Sequence, residues 1–519
     1  MKDTTLLLID NRLKSRSTIY QWCNELLGPS RDITGFEQGG INSGDFYKLY
    51  NNEQLKQADA SELGVSIGST TISAVGEADD VVLLSDDIHS IKLLARLTEQ
   101  YCKEYRVKLV PQKTKLLPIF YQRHIHLVNY AKLTHEVSIA DLQLHFVDEA
   151  EHVGVIRSSN GNMSNVLHRI ASHKKALAAV SSAGLTRGCR TNPAASLRIH
   201  NLYAIPVLFS GLGSLVLLKT EIKVLSTHLK NTVQRLQRLH ENTPRAVVFL
   251  LAGCLPADAI IHQRQLSLFT MICHKPGSLL HEHAKYTLDL EQNNYSWFKQ
   301  IRDICLLYDL PDPSVLLHSP PQKLNFKRDY KKKICIYWHK LFVTECRDLK
   351  SLKYFRPELY SVTKPHYLWT LSAGRPYESS KSTIVAQMLS GRYRSEFFCR
   401  HFKATHSGLC SSPTCEDVAG TLEHILISCP AYSITRDEQF SLCLSNTVMF
   451  PFLHGFIRQI INSDENTKAQ FFLEPLAFEV IRQESNNHGM HYLSTLNYIC
   501  RSFVFSIHRE YINRIKNIS

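Results

Sequence analysis

The sequence predicts an α+β chain, with an antiparallel sheet plus helices in its first third, helices after that, and a small metal-binding segment set among the last helices. Three observations carry this. Apolar and polar residues alternate in short runs as far as about residue 157, the period of a half-buried strand. Beyond about residue 163 the apolar residues recur every three or four positions, the period of a helix face. Three cysteines and a histidine then gather between Cys410 and Cys429.

Taken in order, Gly35-Phe36-Glu37-Gln38-Gly39-Gly40-Ile41-Asn42-Ser43-Gly44 is a glycine-rich loop. It opens a helix whose apolar face is expected to carry Phe46, Leu49 and Tyr50. Val65, Ile67 and Ile72 alternate with polar residues, and Val81–Leu84 is apolar. Between them stands Glu77-Ala78-Asp79-Asp80, so a strand–turn–strand hairpin would place Asp79 and Asp80 at its tip. Asp86 and Asp87 give an acidic start to a helix with Ile88, Ile91, Leu94, Ala95, Tyr101, Cys102 and Tyr105 on its face. A short strand is expected over Val107–Val110, stopped by Pro111. Residues 119–157 suggest antiparallel hairpins, as in His124-Ile125-His126-Leu127 and Leu142-Gln143-Leu144. Glu151-His152-Val153-Gly154-Val155 closes the strand region. Val166, Ile170 and Leu177 then mark one helix, Pro193 opens a second, and Ile222, Leu225, Leu229, Val233, Leu236 and Leu239 mark a third. The proline-rich stretch from Leu310 to Pro321 is the expected linker. Residues 330–400 read as helical.

Lys and Arg number 60 against 47 Asp and Glu, a formal charge of +13. That excess, with a pI near 9.0, suits a polyanionic partner. The 14 cysteines are scattered rather than dense and regular, unlike a secreted disulfide scaffold. The start has only four consecutive apolar residues, Leu6 to Ile9, too few for a signal peptide, and no run approaches a membrane span. The expectation is an intracellular protein of the nucleus or cytoplasm, not secreted and not in a membrane. In that reducing setting clustered cysteines suggest metal.

Two adjacent carboxylates at a hairpin tip are how polymerases hold two Mg²⁺ ions, which activate an attacking hydroxyl and neutralise a leaving pyrophosphate. An isolated Asp-Asp pair also reads as a solvated turn. Its neighbours add weight. Gly39 and Gly40 let backbone approach a nucleotide closely, and Gln38 can contact it. Lys108, Lys113 and Lys115 supply cations downstream.

This order resembles the reverse transcriptases of non-LTR (LINE-type) retrotransposons. Gln38-Gly39-Gly40 looks like their nucleotide-proximal motif, Ala78-Asp79-Asp80 like their catalytic box, Lys113-Thr114-Lys115 like the lysine motif after it, and His152-Val153-Gly154-Val155 like the primer-grip hairpin. The resemblance implies a partial palm over 1–162, a helical thumb and connection over 163–309 and a linker with a basic helical region over 310–400. A zinc-binding segment over 401–440 completes it, so the resemblance spans roughly residues 1–440, and a helical tail over 441–519 follows. It implies RNA-directed DNA synthesis, with Asp79 and Asp80 as Mg²⁺ ligands, Gln38, Gly39, Gly40 and Lys113 on the nucleotide, dNTP as substrate, and an RNA template with a DNA primer or target as partners. The chain departs from the pattern at Glu77, where an aromatic residue is usual, and at Glu37, where an arginine is common. It also has no clear match to the family's upstream Asp and Phe-Asp. Asp10 ends the apolar run Leu6–Ile9 but no Phe-Asp follows it. The chain therefore reads as an amino-terminally truncated form without fingers, either a polymerase whose missing part is supplied in trans or by an upstream exon, or a catalytically dead nucleic-acid-binding remnant. An unrelated zinc protein is the third reading.

In the expected thumb, Lys174, Lys175, Arg187, Arg190, Lys219, Lys223, Lys230, Arg235 and Arg238 suit contacts to a phosphate backbone, or are solvated helix faces. Lys327-Arg328-Asp329-Tyr330-Lys331-Lys332-Lys333, with Trp338 nearby, suits a grip on RNA or a charged helix start. The sharpest metal signal is Cys410, Cys415, His424 and Cys429, separated by four, eight and four residues. Three thiolates and an imidazole suit tetrahedral Zn²⁺ and leave no open position, so a structural site is expected. The ligand atoms should converge within about 4 Å of one another. Leu389-Ser390-Gly391-Arg392-Tyr393 upstream, and Pro430 and Arg436 downstream, resemble the Cys-Cys-His-Cys segment ending many of these enzymes. Cys399, His401 and His406 are the competing ligands.

Overall fold

The computed structural model describes residues 17–31, 43–68, 70–110, 113–119, 136–139, 142–159, 161–182, 184, 191–290, 296–372, 376–400 and 407–518. It is a mixed α/β structure, mostly helical, with small antiparallel sheets. The chain divides into two compact units, Met1–Gly161 and Asn162–Ser519.

The first unit holds hairpins and two long helices. The strands pair two by two: β1 (Ser17–Trp22) with β2 (Glu25–Arg31), β3 (Val65–Ile67) with β4 (Thr70–Ile72), β5 (Ala74–Glu77) with β6 (Asp80–Leu83), β7 (Val137–Ile139) with β8 (Leu142–Leu144), and β9 (Glu149–His152) with β10 (Val155–Ser158). Among the described residues no strand has a second partner, so the expected sheet is a set of separate hairpins. Most of these strands are three or four residues long and offer few ladder bonds. Their apolar faces lean on helices instead. Helix α1 (Ser43–Ala60) and helix α2 (Ile88–Glu104) flank the β5–β6 hairpin. Leu94 and Ala95, adjacent on α2, head two clusters. Leu94 meets Ala58 and Ala74, while Ala95 meets Val137, Ile139 and Leu144.

Asp87 caps α2 as the acidic start implied, accepting from the Ser90 N–H at 2.9 Å. The strand expected over Val107–Val110 does not form. Arg106 takes a left-handed φ of 56° and Val107 N–H returns to Cys102 O at 2.9 Å. That bond spends the segment on closing the helix end. Helix α1 is also turned from its expected face. Asn51, Gln54 and Ala58 are buried, whereas Leu49 and Tyr50 are exposed. The polar pair is satisfied inside: Asn51 donates to Ala78 O at 3.3 Å and Gln54 to Thr98 Oγ1 at 3.3 Å.

The second unit is helical: α3 (Met163–Ser182), α4 (Pro193–Ile199), α5 (Lys219–Leu236), α6 (Arg245–Ala252), α7 (Ala257–Cys273), α8 (Leu279–Asp289), α9 (Trp297–Leu307), α10 (Pro313–His318), α11 (Lys323–Arg347), α12 (Pro376–Leu389), α13 (Glu396–Cys399), α14 (Ser433–Ser445), α15 (Pro451–Ile461), α16 (Glu465–Leu473) and α17 (Glu479–Ile518), broken at Gly489. The expected faces are buried at Val166 and Ile170 on α3 and at Leu225, Leu229 and Val233 on α5. Every side chain of α6 from Ala246 to Ala252 is buried, so α6 is a central core helix. The expected linker over residues 310–321 instead carries α10. Asp312 caps it, Pro313 supplies a ready-made first-turn φ, and Leu316 and Leu317 are buried. Among the described residues no single helix is long and apolar enough to cross a membrane.

A candidate metal centre

The Cys/His segment forms a loop followed by one wide helical turn. Leu409 and Ala419 make an antiparallel bridge, and the Cys410 N–H donates to Val418 O at 2.7 Å. Within the loop the Cys415 N–H returns to Ser412 O at 2.9 Å. This presents the Cys410 and Cys415 thiols together. The loop is pinned to α13, where Glu396 Oε1 accepts from the Ser411 N–H at 2.9 Å. Gly420 permits that approach: a Cβ there would lie 2.5 Å from Glu396 Oε2.

His424–Ser428 is a π turn, closed by the Cys429 N–H on His424 O at 2.7 Å. The sequence suggested His424 and Cys429 at the end of one helix. In an α-helix residues five apart point about 140° apart. The wider π turn brings them toward one face. Arg436 on α14 fixes the end of this turn, donating to Cys429 O at 2.6 Å and Leu426 O at 3.3 Å.

The four predicted residues converge. Cys429 Sγ lies 3.8 Å from both Cys410 Sγ and Cys415 Sγ. One ligand atom from each of Cys410, Cys415, His424 and Cys429 fits within 4.8 Å of the others, wider overall than the expected 4 Å. Tetrahedral ligands about 2.3 Å from a zinc ion have sulfur–sulfur edges of about 3.8 Å, whereas a disulfide would need about 2.05 Å. The observed sulfur separations match the first. His424 Nε2 is buried with no hydrogen-bond partner, and Nδ1 faces Ser428 Oγ at 3.5 Å. A buried imidazole nitrogen without a partner is costly unless something binds it. Cys415, His424 and Cys429 are buried and Cys410 half-buried, so the group is closed to substrate.

The protonation of the four groups follows from their surroundings. Burial pushes the Cys429 thiol up to about 12, and the charges of its neighbours add to this. Burial raises Cys410 as well. Burial also acts upward on Cys415, but hydrogen bonds from Cys429 and Thr414 outweigh it and hold that thiol low. Burial lowers His424, keeping the ring neutral and ligand-competent. A divalent cation at the centre would turn the remaining thiols into thiolates. The residues present therefore fit a metal ion such as zinc. Among the described residues no other set of three such side chains converges in this way. Cys399 is half-buried outside the group, while His401 and His406 lie outside the described residues.

The other expected site residues are distributed as follows. Ala78 and Asp79 form the two-residue tip of the β5–β6 hairpin, with Ala78 at φ 54° and Asp80 paired to Glu77. Asp79 and Asp80 are exposed, as a hairpin tip implies. Lys48 approaches Glu77 at 3.9 Å. Lys113 is exposed in a turn that its N–H closes on Val110 O at 2.9 Å. Val153 and Gly154 make the tip of the β9–β10 hairpin. Asp10, Gln38, Gly39, Gly40, Arg187 and Arg190 lie outside the described residues. Of the basic helix residues, Lys174, Lys175, Lys219, Lys223 and Arg235 are exposed. Arg235 also donates to Asn231 O at 3.2 Å, and Lys230 and Arg238 serve the chain's own carbonyls, Glu241 O at 3.0 Å and Thr191 O at 2.8 Å. On α11, Lys327, Arg328, Lys331 and Lys332 are exposed, and Lys333 pairs with Asp329 at 3.9 Å. Trp338 does not face a ligand: it is buried, donates to Tyr308 OH at 3.0 Å and sits under Arg245.

Sequence reasoning missed Glu396 and a chain of three imidazoles. His228 Nε2 meets His173 Nδ1 at 2.9 Å, and His173 Nε2 meets His200 Nε2 at 3.1 Å. Residues 173, 200 and 228 sit on separate helical turns, and no spacing rule links them.

Set against models of known protein families and against curated proteins, the chain matches none.

Proposed function

We propose that the chain is a nucleic-acid-binding part of a non-LTR reverse transcriptase, carrying a structural zinc ion at Cys410, Cys415, His424 and Cys429. The observation that carries this reading is the hairpin with Ala78-Asp79-Asp80 at its tip, since adjacent carboxylates there suit Mg²⁺ and a triphosphate. The Gln38-Gly39-Gly40 motif before it and the His152–Val155 hairpin after it support the same reading, as does the net positive charge. In this scheme Asp79 and Asp80 are the Mg²⁺ ligands, Gln38, Gly39, Gly40 and Lys113 attend the dNTP, and helix lysines and arginines meet the RNA template and DNA primer.

Two-metal chemistry needs a further carboxylate beside that pair. Among the described residues none joins Asp79 and Asp80. This favours a second form of the reading, in which the chain on its own binds nucleic acid without extending a primer. The test is primer extension by the purified chain on an RNA template with Mg²⁺ and dNTPs, beside a binding measurement on the same primer–template. Binding without extension is expected. Robust extension that Asp79→Ala abolishes would overturn the binding-only form and direct attention to Asp10. Absence of any binding would overturn the reading altogether.

A further inference from the structure

An open cleft of about 660 Å³ lies in the helical unit, between α5, α7, α11 and the turn at His200–Asn201. Its lining is largely aliphatic, with Ile205, Leu255, Ile260 of α7 and Ile336 of α11 half-buried or exposed over the buried Leu229 and Val233 of α5. Its floor depends on a glycine. Gly253 ends α6 at φ 61°, and a Cβ there would lie 1.9 Å from the Lys364 carbonyl carbon. The backbone at Lys364–Pro365, which follows the lining residues Val362 and Thr363, can therefore run close against it. The polar residues on the lining are Asn201, Gln263, His200, Cys254, Cys335 and Thr363, whose hydroxyl meets Ser361 Oγ at 2.9 Å. Lys331 and Lys332 stand on the lining too, both exposed, with no ion pair among the described residues. Among the described residues no carboxylate lines the cleft.

A ligand for this site must have a flat or compact apolar body, edge groups that exchange hydrogen bonds with carboxamides, and negative charge beside the lysines. Its volume is within the ordinary range for a small-molecule site. Apolar walls with a few amide partners are how proteins hold an unstacked nucleobase, and two unpaired lysines suit its phosphate. A simple fatty carboxylate would satisfy the walls and the lysines but would leave the carboxamides, which are not buried, to water, whereas a nucleobase edge can bond them directly. We infer that this cleft receives a single unstacked nucleotide, its base against the aliphatic lining at Ile260 and Ile336 and its phosphate at Lys331 and Lys332. The inference deepens the nucleic-acid reading above by naming where one nucleotide of a bound strand leaves the stack.

The experiment uses the full chain and three probes in saturation-transfer NMR: AMP, ribose 5-phosphate and dodecanoate. AMP is expected to bind at least tenfold more tightly than ribose 5-phosphate. Lys331→Glu should weaken AMP at least fivefold, and Gln263→Leu should weaken AMP while leaving ribose 5-phosphate unchanged. Equal binding of AMP and ribose 5-phosphate would reduce the site to surface lysines and overturn the base pocket. Dodecanoate binding with no AMP binding would overturn it in favour of an amphiphile site. The wild-type comparison stands even where a variant fails to fold. A single-stranded 12-mer measured beside these probes separates the two readings. Loss of 12-mer binding with AMP still bound defeats the nucleic-acid reading alone, and the reverse defeats the cleft alone.

Discussion

At the scale of single residues, the metal centre depends on where four ligand atoms fall and on the clearance at one glycine. Cys429 is central because its sulfur faces both other thiols at 3.8 Å. Replacing it by serine removes a soft ligand, and structural zinc contributes on the order of 10 kcal/mol to local folding at neutral pH. Elemental analysis should find about one zinc per chain in the parent and none retained in Cys429→Ser. Limited proteolysis should then cut near residues 407–430 while the hairpin around Asp79 stays resistant. Zinc retained at full occupancy in that variant would refute the ligand set. Gly420 makes a different demand, for space. A Cβ there would sit 2.5 Å from Glu396 Oε2 and 2.8 Å from Glu396 Cβ. Gly420→Ala should therefore cost about 1–3 kcal/mol, the usual penalty of overpacking. Shortening the opposing side chain as well, by Glu396→Ala, should return part of it. A denaturation midpoint unchanged in Gly420→Ala would show that α13 yields freely.

At the scale of elements, what could be read from the sequence was what repeats or is capped locally. The buried stripe of α5 shows in the spacing of Leu225, Leu229 and Val233, and the start of α2 in Asp87. The Cys/His ligands were legible because their spacing is itself the signal. What could not be read depends on partners distant in sequence. Helix α1 buries Asn51 and Gln54 because Ala78 and Thr98 receive them, and no local pattern announces that. Prolines at 311 and 313 suggested a linker, yet Pro313 opens α10. The imidazole chain is the extreme case, since it joins α3, α5 and the turn at His200. Burial holds His173 down at about 3, helped by the charges His200 and His228 would carry. Burial likewise holds His200 and His228 at about 4, against an ordinary 6.5. These rings stay neutral in the folded chain while the unfolded chain takes up protons below pH 6.5. Stability should therefore fall as pH drops from about 6.5 toward 4, and the loss should level off near 3. Urea midpoints at pH 7.5, 6 and 5, with zinc present throughout, should decrease in that order. A midpoint flat across that range would refute the neutral chain of rings.

At the scale of the whole molecule, the net charge of +13 matters through where its free cations sit. Cations that serve the fold cannot also neutralise phosphate. Lys230 and Arg238 are bound to carbonyls, and Lys333 is paired with Asp329. Lys327, Arg328, Lys331 and Lys332 stand exposed on α11, and Lys174 and Lys175 on α3. Each cation that meets a phosphate releases a counterion. The logarithm of affinity then falls with the logarithm of salt by about 0.9 per contact on duplex and about 0.7 on a single strand. Replacing Lys327, Arg328, Lys331 and Lys332 together by glutamine should therefore flatten the single-strand slope by up to about 3 if all four contact phosphate. The same change at Lys230 and Arg238 should leave the slope near its parent value while lowering stability, because those groups close the protein's own carbonyls. Fluorescence anisotropy with a labelled 12-mer RNA between 50 and about 200 mM salt reads both slopes, a range over which such contacts are strongly resolved. An unchanged slope in the α11 variant would remove that helix from the interface. A slope near zero in the parent would mean that the positive charge of this chain does not serve a polyanion at all.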